Sequence, residues 1–283
     1  MKFKIISKFQ DKKADSLANI GEDSVEHARY IKMLKRKKRT VLLLQIAIFF
    51  GIIIIWEVGA RVGFIDSFIM SSPSAILETT ITLAKGELLK HIGVTMAETV
   101  LGFLISMAIG LFLAIALWSC ETAQKIFQPY LVILNALPKI ALGPIIIIWV
   151  GTGTEAIITM VILICVIITT ITLLQGFLEV DSDMIFLVKS MGGGKFTIFT
   201  KLVFPSQISL IISTLKINVG LAFVGSIMGE YLVSRAGLGY LIVYGSQVFN
   251  LDLVMTSTII LLVAAGGMYA LVALLEKKVS KSR

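Results

Sequence analysis

Six stretches of this chain run with almost no charged positions, and most of the charged residues fall between them. They are Val41–Gly59, Gly93–Trp118, Pro129–Val150, Ala156–Phe177, Ser206–Glu230 and Leu253–Leu275. A helix needs about 20 apolar residues to cross a hydrocarbon core of about 30 Å. The β-branched runs Ile52–Ile55 and Ile145–Ile148 would favour strands in water. In lipid the backbone must satisfy its own hydrogen bonds, and these runs lack the period-2 alternation of barrel strands. The pattern therefore predicts an all-α, polytopic membrane protein with about six transmembrane helices.

Composition agrees. Of 283 residues, 57% are hydrophobic and 16% charged, with a mean hydropathy of +0.92; soluble domains have roughly 45–50% and about 25%. The net charge of +8 is not spread over the chain. Twelve Lys and Arg lie in residues 1–40, beside five acidic residues, and four more close the chain after Leu275. If both ends and the segments 119–128 and 178–205 are cytoplasmic, that side carries 20 basic residues. The opposite side carries only Arg61, Lys85, Lys90 and Arg235. The positive-inside rule then places both termini in the cytoplasm. It also explains the net charge without nucleic acid. The first span has a long charged flank and no small-residue cleavage site, so it reads as an anchor and not a signal peptide. The expected organisation is a basic cytoplasmic arm at 1–40, a first helix at 41–59 and an extracytoplasmic segment at 60–92. A core at 93–275 and a cytoplasmic tail at 276–283 follow. The arm reads as a solvated, orientation-setting tail, with binding to anionic membrane lipid as the alternative role. Cys120 and Cys165 read as free thiols. His27 and His91 lie far apart without a Cys or carboxylate cluster at ligand spacing, so no metal site is expected.

One cytoplasmic stretch invites a nucleotide reading. Residues 187–205 read LVKSMGGGKFTIFTKLVFP. A phosphate loop needs G-x-x-x-x-G-K-[ST] after a strand. Here Phe196 follows Gly194-Lys195, and Lys189 stands at the first glycine position. The loop is therefore rejected. The spacing predicts two short amphipathic helices instead. Asp183 is the expected N-cap of the first, and Met184, Leu187, Val188 and Met191 form its apolar face. Gly192–Gly194 stop it. Phe196, Phe199, Leu202 and Val203 repeat the spacing, and Pro205 marks the start of the fifth span. The apolar stripe fits either a membrane interface or a groove on a soluble partner.

Gly192, nine residues, Leu202, one residue, then Phe204-Pro205 resembles the cytoplasmic signature of permease subunits of bacterial ABC importers, E-A-A-x-x-x-G-x₉-I-x-L-P. At the E-A-A positions this chain has Phe186-Leu187-Val188. Leu137-Pro138-Lys139 through Pro144 and Ile148-Trp149-Val150-Gly151 resemble the third helix of the nitrate/sulfonate/taurine branch. Gly229-Glu230-Tyr231-Leu232 with Gly237-Leu238-Gly239-Tyr240-Leu241-Ile242 resembles that branch's end of the fifth helix. The likeness covers roughly residues 65–275. It implies a type I, MetI-like permease fold, a non-enzymatic subunit with no catalytic residues and no cofactor of its own. It also implies a homodimer, an ABC ATPase subunit that uses ATP, and an extracytoplasmic solute-binding protein. The solute would be a small anion such as nitrate, a sulfonate or taurine, or alternatively a thiamine pyrimidine precursor. The coupling residues it implies are Asp183, Phe186, Leu187, Val188, Met191, Gly192, Phe196, Phe199, Leu202 and Pro205. Phe186 removes the family's glutamate, so that contact must lean on apolar burial.

Three of the charges within or at the ends of spans are candidates for the translocation path. Lys139 stands between Pro138 and Pro144, which free backbone carbonyls and are candidates to kink the helix; it is expected either to attract an anion on the translocation path or to pair with another helix. Lys216 is expected to snorkel or pair. Glu230 is a candidate gate paired with Arg235, a contact for the binding protein, or a helix-end charge. Ala75–Leu89 reads as an amphipathic helix on the outer surface. Two other classes, an intramembrane enzyme and a stand-alone secondary transporter, lack their signatures: no Ser/His or HExxH spacing, no inverted repeat and no evident mid-span coupling carboxylate.

Overall fold

The computed structural model describes the backbone of residues 3–281, and side chains from Tyr30 to Lys277 apart from Ile31, Lys35 and Ser67. The side chains of the basic arm before Tyr30, and those at the end of the tail, lie outside the described residues. Among the described residues every regular element is a helix. Five helices are long and apolar enough to cross a membrane, and a bent pair supplies a sixth.

Two compact units divide the chain at Ile65/Asp66. The first is one helix, α1 (Phe3–Val62). Among its described side chains from Tyr30 to Val62 none is buried, as suits a helix whose solvent is lipid.

The second unit begins with α2 (Ser67–Met70) and α3 (Pro73–Ala84). Ser72 caps α3 by accepting from Ala75 N–H, and Pro73 opens it where no N–H is needed. α3 ends at Ala84 and a turn follows, so the expected helix Ala75–Leu89 is two pieces. The core is α4 (Leu88–Ser119), α7 (Thr154–Leu178), α11 (Ile208–Val233) and α13 (Leu251–Lys281). α7 packs on both α4 and α11. The approach is close because glycines face it: a Cβ on Gly102 of α4 would lie 2.6 Å from the Cβ of Val161, and one on Gly225 of α11 would lie 2.9 Å from its Cα. Small residues serve this purpose in lipid, where apolar surface alone does not drive helices together. Asn218 of α11 donates to the Thr169 hydroxyl of α7 at 2.9 Å within the same interface. α13 lies against α11, α3 and α12 (Leu238–Gln247), a short helix that span-length patterning does not reveal.

The third span, expected as Pro129–Val150 with a kink at its prolines, is broken outright. α5 (Glu121–Ala136) begins directly after Cys120 and passes through Pro129. A 3₁₀ turn at Lys139–Leu142 and α6 (Gly143–Val150) follow, and the two halves meet at 89°. The cause is Pro138. It lacks an N–H and excludes helical geometry at Leu137, which sits at φ −65°, ψ 134°. Pro144, by contrast, stands in the first turn of α6, where proline is tolerated. The segment 119–128, expected as a loop, is helical because α5 starts inside it.

Candidate functional site

The segment between α7 and α11 folds as a helical hairpin. α8 spans Ser182–Ser190. Its N-cap is Asp181, whose carboxylate accepts from Asp183 N–H at 2.8 Å; the expected cap, Asp183, stands inside the first turn. The acid two residues earlier wins because its backbone is extended, at φ −50°, ψ 122°, and its side chain can turn back onto the free N–H. The helix ends in a Schellman motif. Gly193 N–H reaches Val188 O and Gly192 N–H reaches Lys189 O, both at 2.9 Å. Gly192 takes the left-handed φ of +85° that this requires.

The second half is α9 (Lys195–Ile198), a π turn at Phe199–Val203 and α10 (Phe204–Ser206). Pro205 thus does not start the fifth span. It sits in the first turn of α10, and α11 begins three residues later. A proline cannot donate the next helical bond, which accounts for the wider turn ahead of it.

The expected apolar face divides in two. Ile185 and Val188 turn inward and join Phe177, Leu173, Ile198 and Val203. Phe199 is held by three rings, Trp118 at 5.1 Å, Phe177 at 5.5 Å and Phe204 at 5.9 Å. Leu202 and Pro205 are half-buried. Lys195 donates to Ser119 O at 3.4 Å, tying the hairpin to the end of α4. Outward stand Met184, Leu187, Phe186 (70% exposed), Met191 (80%) and Phe196 (81%). A pinned scaffold therefore presents five large apolar side chains.

The in-span charges are placed differently from one another. Lys139 donates to Asn135 O at 3.2 Å and to its Oδ1 at 3.3 Å. It caps the carbonyl end of α5 at the break, where the helix dipole favours a cation. Lys216 forms an ion pair with Glu276 of α13.

Glu230 is not a surface gate. It is 1% exposed, and its Oε2 accepts from Gly239 N–H at 2.6 Å, while Arg235 is exposed. Two further groups cap the same end of α12. His91 Nδ1 accepts from Gly237 N–H at 2.9 Å, and the Thr95 hydroxyl accepts from Leu238 N–H at 2.8 Å. Glu98 of α4, 2% exposed, joins them and accepts from the Thr154 hydroxyl at 2.9 Å. Sequence reasoning missed Glu98. The signal was present, since it is the one charge between Gly93 and Trp118, and an ionisable residue inside a span is costly enough to mark a built environment.

The family described as binding-protein-dependent transport system inner membrane component matches residues 106–281. A probable ABC transporter permease protein of Haemophilus influenzae is 30% identical over 78% of this chain and 90% of its own length. The formylaminopyrimidine transport permease protein ThiX of Halalkalibacterium halodurans is 29% identical, over 72% of this chain and 81% of its own. A putative aliphatic sulfonates transport permease, SsuC of Bacillus subtilis, is 26% identical over 82% and 84%. In fold, the chain is similar to a chain of the inward-facing MetNI methionine ABC transporter, with a TM-score of 0.59 at 18% identity, over 69% of this chain and 95% of that one. The motifs in the third and fifth spans and the hairpin's Gly–Pro spacing thus meet the same conclusion from the sequence side. The chain belongs to the family of binding-protein-dependent transport system inner membrane components, as a multi-pass permease of an ABC importer.

Proposed function

We propose that the hairpin 178–205 is the cytoplasmic docking element through which a separate ATPase drives this permease. The observation that carries the reading is the outward face of Met184, Phe186, Leu187, Met191 and Phe196 on a rigidly anchored scaffold. Each such side chain contributes roughly 1.5–3 kcal/mol when fully buried, so a groove that covers several of them gains enough to transmit force. Ile185, Val188 and Phe199 serve as the lever's root, because they bind the hairpin to the ends of α4 and α7.

The distribution of Lys and Arg supports cytoplasmic termini and a cytoplasmic position for this hairpin. It likewise supports the division into a basic arm at 1–40, an outer segment at 60–92 and a transport core at 93–275. Two copies of the chain would enclose the path, with ATP bound only by the partner subunits and solute delivered by a binding protein from outside. The solute we favour is a small anion of the sulfonate type, as in the name of the Bacillus subtilis relative. A pyrimidine precursor is the second reading, supported by the 29% identity to the formylaminopyrimidine permease.

Leu187→Asp tests the docking role. Leu187 is 54% exposed, so its replacement leaves the isolated permease folded. Uptake should fall at least about tenfold, the equivalent of about 1.4 kcal/mol, while membrane insertion and the melting temperature stay unchanged. Normal uptake in that variant would remove the hairpin from the coupling path.

A further inference from the structure

The polar knot around Glu98 and Glu230 lies at the opposite end of α4 from the hairpin and has no part in docking. Both carboxyl groups are sealed, at 2% and 1% exposure. Each uses one oxygen: Glu98 Oε1 accepts from the Thr154 hydroxyl, and Glu230 Oε2 accepts from Gly239 N–H. Each leaves one oxygen, Glu98 Oε2 and Glu230 Oε1, buried with no hydrogen-bond partner. The two side chains lie within hydrogen-bonding reach of each other, and the Thr95 hydroxyl and the Tyr240 N–H also face Glu230, without supplying a partner to its open oxygen. A buried oxygen left without a donor is costly, and two bare carboxylates side by side in a dry interior are more so.

No neighbouring cation resolves this. Among the described residues, no Lys or Arg forms an ion pair with either carboxyl. On α4, His91 accepts from Gly237 through Nδ1 and so offers that atom no proton. On α12, Tyr240 stacks on His91 at 6.0 Å. On α7, Glu155 is exposed; on α11, Tyr231 is exposed; and Arg235, in the turn before α12, is exposed. One proton placed between the two open oxygens satisfies both at once.

We infer that Glu98 and Glu230 share a single proton in one carboxyl–carboxylate hydrogen bond. The bond ties α4 to α11 directly. Through the oxygens already engaged, it also fastens the starts of α7 and α12. Four helices are thereby held as one block at this end of the bundle, and the pair keeps one negative charge, which the Thr154 hydroxyl and the Gly239 N–H stabilise.

The arrangement has a specific chemical mimic. In Glu98→Gln the side-chain amide donates to Glu230 Oε1 and its carbonyl still accepts from Thr154, with the same net charge as the shared-proton pair. Infrared spectra of the full-length permease in lipid nanodiscs at neutral pH should show the carbonyl stretch of a protonated carboxylic acid. That band should shift in D₂O and vanish in both Glu98→Gln and Glu230→Gln. The melting temperature of Glu98→Gln should stay near that of the unsubstituted chain, whereas Glu98→Ala should lower it by at least about 2–4 °C. Absence of the band, or equal losses in Glu98→Gln and Glu98→Ala, would overturn the shared proton. A rise in melting temperature on adding Na⁺ or Mg²⁺ that disappears in Glu98→Gln would overturn it in favour of a bound cation.

Discussion

Near Ser119, apolar side chains stand in the open and a glycine turns freely. About 30 Å along the same helix, near Glu98, two carboxyl groups are sealed and a glycine is walled in by one of them. The two ends invert the usual assignment of polar and apolar groups. At the hairpin, the exposed Phe186, Met191 and Phe196 add nothing to the isolated chain, so what they contribute must come from outside it. At the knot, Glu230, His91 and Thr95 satisfy the N–H groups of α12 one by one, so their contribution is internal and already complete. An exposed apolar face implies a partner; a buried, paired polar group implies a fixed joint.

The glycines give the sharpest way to break this contrast. Gly237 has φ +118°, and a Cβ there would lie 2.3 Å from Glu230 Oε2 and 2.4 Å from its Cδ. Gly237→Ala must strain the backbone and displace the carboxyl that caps Gly239. The expected loss is about 3 kcal/mol or more, read as a large fall in melting temperature of the detergent-solubilised permease. Gly192 is also left-handed, at φ +85°, but nothing lies within 4 Å of a Cβ there. Gly192→Ala should lose only the backbone preference, about 1–2 kcal/mol. Equal losses at the two sites would mean that the knot is no more rigid than the hairpin.

How much of this was legible beforehand differs between the two ends. The hairpin was largely readable, because helix periodicity and the glycine stop are local properties of consecutive residues. What failed there was also local: Asp181 and Asp183 are both good caps, and only the backbone entering the helix decides between them. The inward turn of Val188 and Phe199 depends on Trp118 and Phe177 from other helices, which spacing within the segment does not contain. The six spans were visible from length and hydropathy, and the prolines around Lys139 marked a kink in the third; that Pro138 alone makes it, and that the bend reaches 89°, was not. The knot was the least legible. Glu98 and Glu230 lie more than a hundred residues apart, and nothing in either helix alone says that they meet. Glu98 still announced itself as a lone charge in a greasy run.

Lys216 provides a smaller test, because its ion pair joins helices between the two regimes. Its side chain is 20% exposed and that of Glu276 is 36% exposed, so water screens part of the attraction. Lys216→Met should destabilise the permease modestly, and Glu276→Gln likewise. A double-mutant cycle in thermal unfolding should return a coupling of about 1 kcal/mol or less. Uptake that survives in the doubly substituted chain would assign the pair to structure. Uptake that fails despite an unchanged melting temperature would return Lys216 to the translocation path.

The smallest expected effect on the isolated chain falls at the most telling position. Phe186→Glu restores the acidic residue that the family's signature carries there. Because Phe186 is 70% exposed, the permease alone should be unchanged to within about 0.5 kcal/mol. The effect should appear only with the ATPase bound. A groove shaped for a phenyl ring would have to desolvate a carboxylate, and no compensating cation is expected in a partner matched to phenylalanine. Stimulation of ATP hydrolysis by the permease should therefore fall with its own ATPase. If stimulation rises instead, the partner carries a basic residue at this contact, and Phe186 is a weakened version of a charged joint and not a replacement for it.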